Sequence, residues 1–202
     1  MDRYYVLPFH DLDTTYVGFV GARTTGQEAG DYLIAGPGWK GTVPDRITGV
    51  LRADTHLVGC VGRTYLAGMS ETDVQDVRTL QERYRLQPLS AYTGQDAPAP
   101  AAEPAWPIWR EEVGTNIEFF TVLDFLLGFF PVLPAQKDLG ERLAALGIDG
   151  AGTFEPGGLR PEVRAPWRRA SPRAASSWWP SWTPLRTPAL SSAPERNWAR
   201  TT

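Results

Sequence analysis

Runs of β-forming residues separated by turn signals fill the first 66 residues of the chain. The strand-like runs cover residues 4–9, 16–22, 32–35, 47–51 and 57–66. Turn-forming residues stand between them, as at Gly30, Gly36 and Asp54. Because no helical segment separates successive runs, the pattern favours a sandwich, barrel or jelly roll over βαβ units.

Helical periodicity takes over at Ser70. Ser70 and Asp73 have the spacing of a shortened capping box, in which the serine oxygen accepts a backbone N–H at the helix start. The apolar residues at helical spacing are Val74, Val77, Leu80 and Tyr84. The sequence therefore predicts a helix that begins at Ser70, packs one face on the sheet and ends before Pro88.

Two further helices are predicted downstream. Thr115 or Asn116 suits the N-cap of a helix that runs to about Phe130, and its nearly continuous apolar surface predicts burial. A shorter helix is predicted over residues 137–146, with Gly147 as its stop. The predicted fold class is therefore mainly β with about three helices.

Two segments have the composition of irregular structure. Residues 95–107 contain four prolines among small and acidic residues, which predicts an exposed loop. Residues 157–202 are rich in Arg, Trp, Ser and Pro and show no periodicity, so we predict a domain over residues 1–156 and a disordered tail. Two interpretations of the tail stay open: a segment read out of frame, which we favour, and a basic arm whose five tryptophans bind a membrane surface.

Charge is distributed unevenly between the domain and the tail. Residues 157–202 contain eight arginines and two glutamates, a balance of +6, so the total of −3 leaves −9 for residues 1–156. This acidic domain argues against nucleic acid as a partner, because phosphate binding needs clustered positive charge.

The chain start and the most apolar stretch bear on membrane location. No signal peptide follows Met1, so the default compartment is the cytoplasm. Residues 117–133 are short for a membrane span and are interrupted by Glu118, Asp124 and Pro131, which favours a buried helix.

A glycine pattern raises the question of a nucleotide cofactor. Gly36, Gly38 and Gly41 fit G-x-G-x-x-G after a strand-like run. The dinucleotide fingerprint also needs a helix that begins at the third glycine and holds the pyrophosphate at its N-terminus. Another strand follows Pro44-Asp45 instead, so turn glycines are the favoured interpretation and no cofactor is predicted.

Metal and thiol chemistry receive equally weak support. His10, Asp11 and Asp13 lie close in sequence, but only the two aspartates share a face of a strand, and a third ligand would have to come from His56 or Cys60. A strand end with turn-forming aspartates is favoured, so no metal site is predicted. Cys60, the only cysteine, lies in an apolar run, which predicts a buried, unreactive thiol.

Arg23 and Arg63 stand at apparent strand ends, where ion pairs with Asp31 or Asp54 are favoured over anion binding. No G-x-S-x-G motif signals a nucleophile. The catalytic residues are therefore unknown, and an enzyme would need Asp11, Asp13, Arg23 and Arg63 to converge in a concave apolar pocket.

Several segments together resemble the domain-of-unknown-function 1254 family. They are Tyr4-Tyr5-Val6-Leu7, Gly21-Ala22-Arg23-Thr24-Thr25-Gly26, Gly36-Pro37-Gly38-Trp39-Lys40-Gly41-Thr42-Val43-Pro44, Gly62-Arg63-Thr64-Tyr65, Leu86-Gln87-Pro88-Leu89 and Gly147-Ile148-Asp149-Gly150. The resemblance covers about residues 3–155 and not the tail.

The resemblance implies an architecture rather than an activity. Members of the family are usually longer and pair this domain with one of the 1214 family, in a combination similar to the double jelly roll of some viral capsid proteins. It implies no catalytic residues. Compared with that pattern, this sequence begins within the domain and loses the pattern near Pro156, so we expect a truncated domain with an incomplete jelly-roll-like antiparallel sheet.

Three functions remain open at this point. The favoured one is a structural or interaction role, in which the chain contributes β surface to a homo-oligomer. The second is an enzyme, a hydrolase or lyase that acts on a small or lipid-like molecule, and its ligand is unknown. The third is a damaged gene product without independent function.

Overall fold

The computed structural model of the chain describes residues 3–68, 70–131, 136–159 and 161–162. The strands are β1 (Tyr5–Asp11), β2 (Tyr16–Gly21), β3 (Asp31–Ala35), β4 (Ile47–Arg52), β5 (Val58–Cys60) and β6 (Arg63–Thr64). The helices are α1 (Glu71–Gln81), α2 (Leu89–Thr93), α3 (Phe119–Leu127) and α4 (Lys137–Ala144), with 3-10 turns at Glu111–Thr115 and Pro156–Gly158. The predicted fold class, strands with added helices, is confirmed. Most of the predicted tail lies outside the described residues.

Strand β1 is the centre of the larger sheet. It pairs antiparallel with β2 on one side and with β5 and β6 on the other. Pro8 lies within this central strand, where its missing N–H usually excludes it. The pairing with β6 ends at Val6 and the pairing with β5 begins at Phe9, so neither of these two pairings includes Pro8. The predicted run 57–66 accordingly divides into two short strands.

The smaller sheet contains β3 and β4, which run parallel. This pair differs from the predicted antiparallel arrangement, because residues 36–46 carry the chain back to the end where β3 began. The return starts with a type II turn: the Trp39 N–H donates to the Gly36 carbonyl over 3.2 Å, and Gly38 has φ +71°. A parallel connection usually contains a helix, and this one contains none.

Helix α1 starts as predicted. The Ser70 hydroxyl accepts the Asp73 N–H over 3.2 Å, and Val77 is buried beneath the helix. The Arg3 guanidinium forms ion pairs with Asp73 and Asp76, which joins the start of the chain to this helix. Tyr84, just after the end of α1, has its ring centre 6.4 Å from that of Tyr5 on β1.

The later helices agree with prediction in position more than in burial. Helix α4 ends where expected, since Gly147 has φ +79° and the Ile148 N–H donates to the Leu143 carbonyl over 3.0 Å. Helix α1 ends at Gln81, earlier than the predicted end before Pro88, and Pro88 instead serves as the N-cap of the short helix α2, which was not predicted. Helix α3 was predicted to be buried on nearly all sides, yet Asp124 is its only fully buried residue among those described.

Gly21 supports a close approach of β2 to β1. A Cβ atom at this position would lie 2.6 Å from the Tyr5 carbonyl oxygen and 2.9 Å from the Val6 Cα. Both neighbours are backbone atoms, so a side chain here forces the strands apart.

We therefore expect Gly21→Ala to lower the free energy of unfolding by about 1–3 kcal/mol. Gly36→Ala is the matched control, since nothing lies within 4 Å of its added Cβ. Urea unfolding followed by circular dichroism measures both. Equal midpoints for the two variants would show that the strand contact does not require glycine.

Candidate functional site: an open apolar groove between two sheets

The four polar residues proposed for an enzyme do not meet. Arg63 pairs with Val6 near the start of β1, and Arg23 stacks over Tyr4, with its guanidinium carbon 5.3 Å from the ring centre. Asp11 ends the same strand. At about 3.3 Å per residue, the five steps from Val6 to Asp11 separate the arginines from the aspartates by roughly 16 Å. A catalytic set built from all four residues has no support in this geometry.

Asp11 is a structural carboxylate. It is 4% exposed, and its Oδ1 accepts the Thr55 N–H over 3.0 Å and the Thr55 hydroxyl over 2.8 Å. The Asp54 N–H donates to both carboxylate oxygens, over 3.1 and 3.2 Å. Each of these donors belongs to the loop between β4 and β5, so Asp11 fixes that loop to the end of β1.

Asp13 lies in the turn between β1 and β2. Its Oδ1 accepts the Thr15 N–H over 3.0 Å, which is the bond expected of a turn-forming aspartate. This bond lowers the pKa of Asp13 below its ordinary value. The two aspartates therefore serve different loops, despite the shared strand face that the sequence suggested.

The predicted ion pairs of the arginines were wrong. Within the described residues, neither Arg23 nor Arg63 forms an ion pair with Asp31 or Asp54. Asp31 instead accepts the Tyr92 hydroxyl over 2.9 Å, an interaction that depends on the unpredicted helix α2.

His10 and Cys60 lie on the paired strands β1 and β5. Nδ1–H of His10 donates to the Asp11 carbonyl over 3.0 Å, and its ring covers Gly59 on the facing strand. Cys60 is exposed rather than buried as predicted, because β5 lies at the edge of the sheet. Partial burial nevertheless raises the pKa of its thiol. Within the described ranges, no three His, Cys, Asp or Glu side chains are placed to hold a metal ion.

The glycine pattern at residues 36–41 has a local structural use. Gly36 and Gly38 form the type II turn, and Gly41 lies against the Trp39 ring, where a Cβ would approach within 2.6 Å. No helix follows before β4 in this described stretch. The arrangement lacks the helix N-terminus that a pyrophosphate requires.

The Arg-Thr-Thr-Gly run closes the outer edge of β2. The Gly21 carbonyl accepts the N–H groups of Thr24, Thr25 and Gly26 over 2.9–3.2 Å. The Thr25 hydroxyl accepts the Gly21 N–H over 3.0 Å, and the Thr24 hydroxyl donates to the Phe19 carbonyl over 3.1 Å. These strand groups face away from β1, so the loop takes the place of a further strand along half of β2.

A buried carboxylate on α3 was not identified from the sequence. Asp124 is 0% exposed, and it accepts the N–H groups of Asp149, Gly150 and Phe154 over 2.8–3.0 Å. The signal available was an aspartate in an otherwise apolar helix, which must find donors if it is buried. The donors come from the segment that begins Gly147-Ile148-Asp149-Gly150, and this explains a structural role for that segment.

One concave feature in the described part of the chain is an apolar groove between the two sheets. Its volume is about 270 Å³, and its apolar lining is Phe19, Val20, Tyr32, Val50 and Leu51. Leu51 crosses β2 so closely at Gly18 that an added Cβ would lie 2.6 Å from its Cδ2. Beyond this crossing the groove is open, and Phe19 remains 38% exposed.

The polar side chains of the groove are those of Thr25, Thr48 and the Tyr32 phenol. Neither carboxylates nor histidines nor the thiol contribute to the lining, so the groove presents apolar surface and hydroxyls rather than acid–base chemistry. A groove of this kind is suited to contact with another apolar surface.

Comparison with known proteins agrees with this fold. Residues 1–88 match the family described as "Protein of unknown function (DUF1254)", which confirms the predicted resemblance over that range. The VPA0106 protein from Vibrio parahaemolyticus is similar in structure, with a TM-score of 0.62 and 20% sequence identity. The match covers 87% of this chain and 41% of that one, so this chain spans less than half of its length. No curated protein matches the chain.

Each helix in the described part of the chain is too short or too polar to pass through a bilayer.

We predict that Asp124→Asn lowers the free energy of unfolding by about 2–4 kcal/mol, because an amide supplies fewer acceptors for three buried N–H groups. Asp96→Asn, in the exposed loop, is the matched control and should stay within about 0.5 kcal/mol of the wild type. Chemical unfolding measures both. A small effect at both positions would mean that the amide introduced in place of Asp124 satisfies the three N–H groups nearly as well as the carboxylate does.

Acid should weaken the joint between α1 and the chain start. The hydrogen bond from the Gly68 N–H has the larger effect and the Arg3 guanidinium the smaller one, and together they hold the pKa of Asp73 below its ordinary value. Because the pKa of Asp73 is lowered in the folded chain, its ionised carboxylate stabilises the fold at pH values above the unfolded pKa of about 4. This stabilisation is lost as pH falls further.

The difference in unfolding free energy between wild type and Asp73→Asn should therefore be constant near neutral pH and shrink below about pH 4. Urea titrations from pH 7 to pH 3 measure it. A difference that does not change with pH would show that the charge of the Asp73 carboxylate does not contribute to this joint.

Proposed function

We propose that this chain contributes β surface to a larger assembly, as part of a double jelly-roll protein of the capsid-like kind. The observation that supports this proposal is the open apolar groove beside an isolated parallel pair. Parallel sheets occur almost only where both faces are covered, and a two-stranded sheet alone is marginally stable. In our proposal, another polypeptide covers the groove.

The packing of β3 and β4 indicates which face of this strand pair another polypeptide would cover. Leu33 and Ala35 are buried, so one face of the pair already has a partner. Tyr32 lies on the opposite face of β3, which it shares with Ile34 and with Leu51, the partner of Ile34 on β4, and Tyr32 and Leu51 line the groove. Tyr16 extends the same apolar surface, with its ring centre 4.8 Å from that of Phe19. A second sheet laid across this face would give the double layer of a jelly roll.

Two sources of the covering polypeptide fit the comparison. The matched region is 41% of the VPA0106 chain, so that protein has enough additional length for a second domain. The family resemblance associates the 1254 domain with such a partner. A second copy of this chain, in a homo-oligomer, offers the same kind of apolar surface. We propose oligomers for the chain alone and domain pairing for longer relatives.

The enzyme alternative has lost the feature on which it depended. Asp11 is committed to the loop before β5, and Arg23 and Arg63 lie near the opposite end of β1. A structural or interaction role needs no convergent polar set. It needs an exposed apolar surface, and the groove provides one.

The chain is expected to self-associate through the groove at micromolar concentration. Phe19→Lys places a charge on this surface and should shift sedimentation toward the monomer, with reduced binding of a hydrophobic dye. Tyr65→Lys, at an exposed aromatic residue outside the groove lining, is the matched control and should sediment like the wild type.

Circular dichroism establishes that each variant is folded, and Tyr16→Lys serves as a second test if Phe19→Lys unfolds. A monomeric wild-type chain with a sharp, cooperative thermal transition would contradict the proposal. Equal loss of association in the groove variants and the control would place the contact elsewhere.

A further inference from the structure

A second apolar surface lies on the helical side of the chain. We call it the tryptophan patch, and it consists of Trp106, Ile108 and Trp109. These side chains are 51%, 78% and 58% exposed, and they occur within four consecutive residues. The patch shares no residue with the groove between the sheets. Large apolar side chains that cluster in this way mark interaction surfaces.

The patch is supported from beneath. The Trp106 ring stacks on Phe129 at 5.6 Å and 3° and meets the edge of Phe125 at 5.2 Å. Behind Trp109 the chain turns into the 3-10 helix Glu111–Thr115, where Gly114 lies close to the indole. A surface ordered before binding loses less conformational entropy when a partner arrives.

The charges around the patch have one predominant sign. Residues 103–119 contain four glutamates and one arginine, a balance of −3. The glutamates are Glu103, Glu111, Glu112 and Glu118, and all are exposed. Arg110 is paired with Glu118 over 3.2 Å, so the cation of this segment is already engaged.

Three aromatic rings elsewhere in the described chain already have a cationic partner. Guanidinium groups lie over the rings of Tyr4, Tyr92 and Trp39 at 5.3–5.9 Å. Among the described residues, no cation lies over Trp106 or Trp109. Indole is the ring that attracts cations most strongly, and an acidic surrounding strengthens that attraction.

We infer that the tryptophan patch binds a cationic peptide segment of a partner protein, in which arginine or lysine alternates with apolar residues. Its cations would lie over the indoles and beside Glu111 and Glu112, and its apolar side chains would cover Ile108. Charge complementarity selects this partner over an anionic lipid surface, which the four glutamates repel. The inference is independent of the proposed groove assembly and can fail while that proposal stands.

Binding is tested with a fluorescein-labelled peptide of repeated Arg-Pro-Leu, measured by fluorescence anisotropy on the full chain at low salt. The double variant Glu111→Gln/Glu112→Gln should weaken the peptide affinity about fivefold. Glu71→Gln/Glu82→Gln removes the same charge from exposed positions on and just after α1 and should change it less than about twofold. This pair separates the patch from general attraction to an acidic protein.

Trp109→Ala should weaken binding by a similar factor, while Tyr65→Ala should not. A repeated Gln-Pro-Leu peptide should bind poorly to the wild type. Equal effects of the two glutamate pairs, or equal binding of both peptides, would overturn the inference. So would binding to phosphatidylserine vesicles without peptide binding, or self-association that Trp109→Ala abolishes while the peptide does not bind.

Discussion

Carboxylates that accept backbone N–H groups hold this chain together where its apolar core is thin. Asp11 joins the end of β1 to the loop before β5, Asp73 joins α1 to Arg3 and Gly68, and Asp124 joins α3 to the segment before the last turn. Hydrogen bonds to a charged acceptor are stronger than neutral ones, and a buried carboxylate without donors is costly. The fold therefore depends on aspartates placed where loops return to regular elements.

Because these carboxylates are engaged within the fold, a function must depend on other groups at the surface. Two of the three aspartates, Asp11 and Asp124, lie deep and have their oxygens occupied, so they are poor candidates for acid–base chemistry. Two exposed surfaces stand out as apolar and aromatic: the groove between the sheets and the tryptophan patch. Both surfaces suit contact with polypeptide, and they lie on different parts of the fold, which allows one molecule to hold two partners.

Local signals in the sequence predicted the positions of helices and strands well, but they predicted strand pairing and long-range contacts poorly. The cap at Ser70 and the stop at Gly147 depend on neighbouring residues, so both could be predicted. The parallel pairing of β3 with β4 depends on the path of residues 36–46, and the exposure of Cys60 depends on β5 being an edge strand. The role of Asp124 required knowledge of a loop about 25 residues away. Long-range pairings of this kind leave no periodicity in the chain.

The Thr24–Thr25 loop has a consequence for how copies of this chain can meet. Because its hydroxyls and amides occupy the strand groups of Phe19 and Gly21, an incoming chain finds few free donors or acceptors along that margin. Fibril-like elongation, in which one sheet grows indefinitely by lateral addition, is blocked at β2. At this margin of the sheet, a second copy can therefore make contact through side chains on the faces of the strands more readily than through backbone pairing.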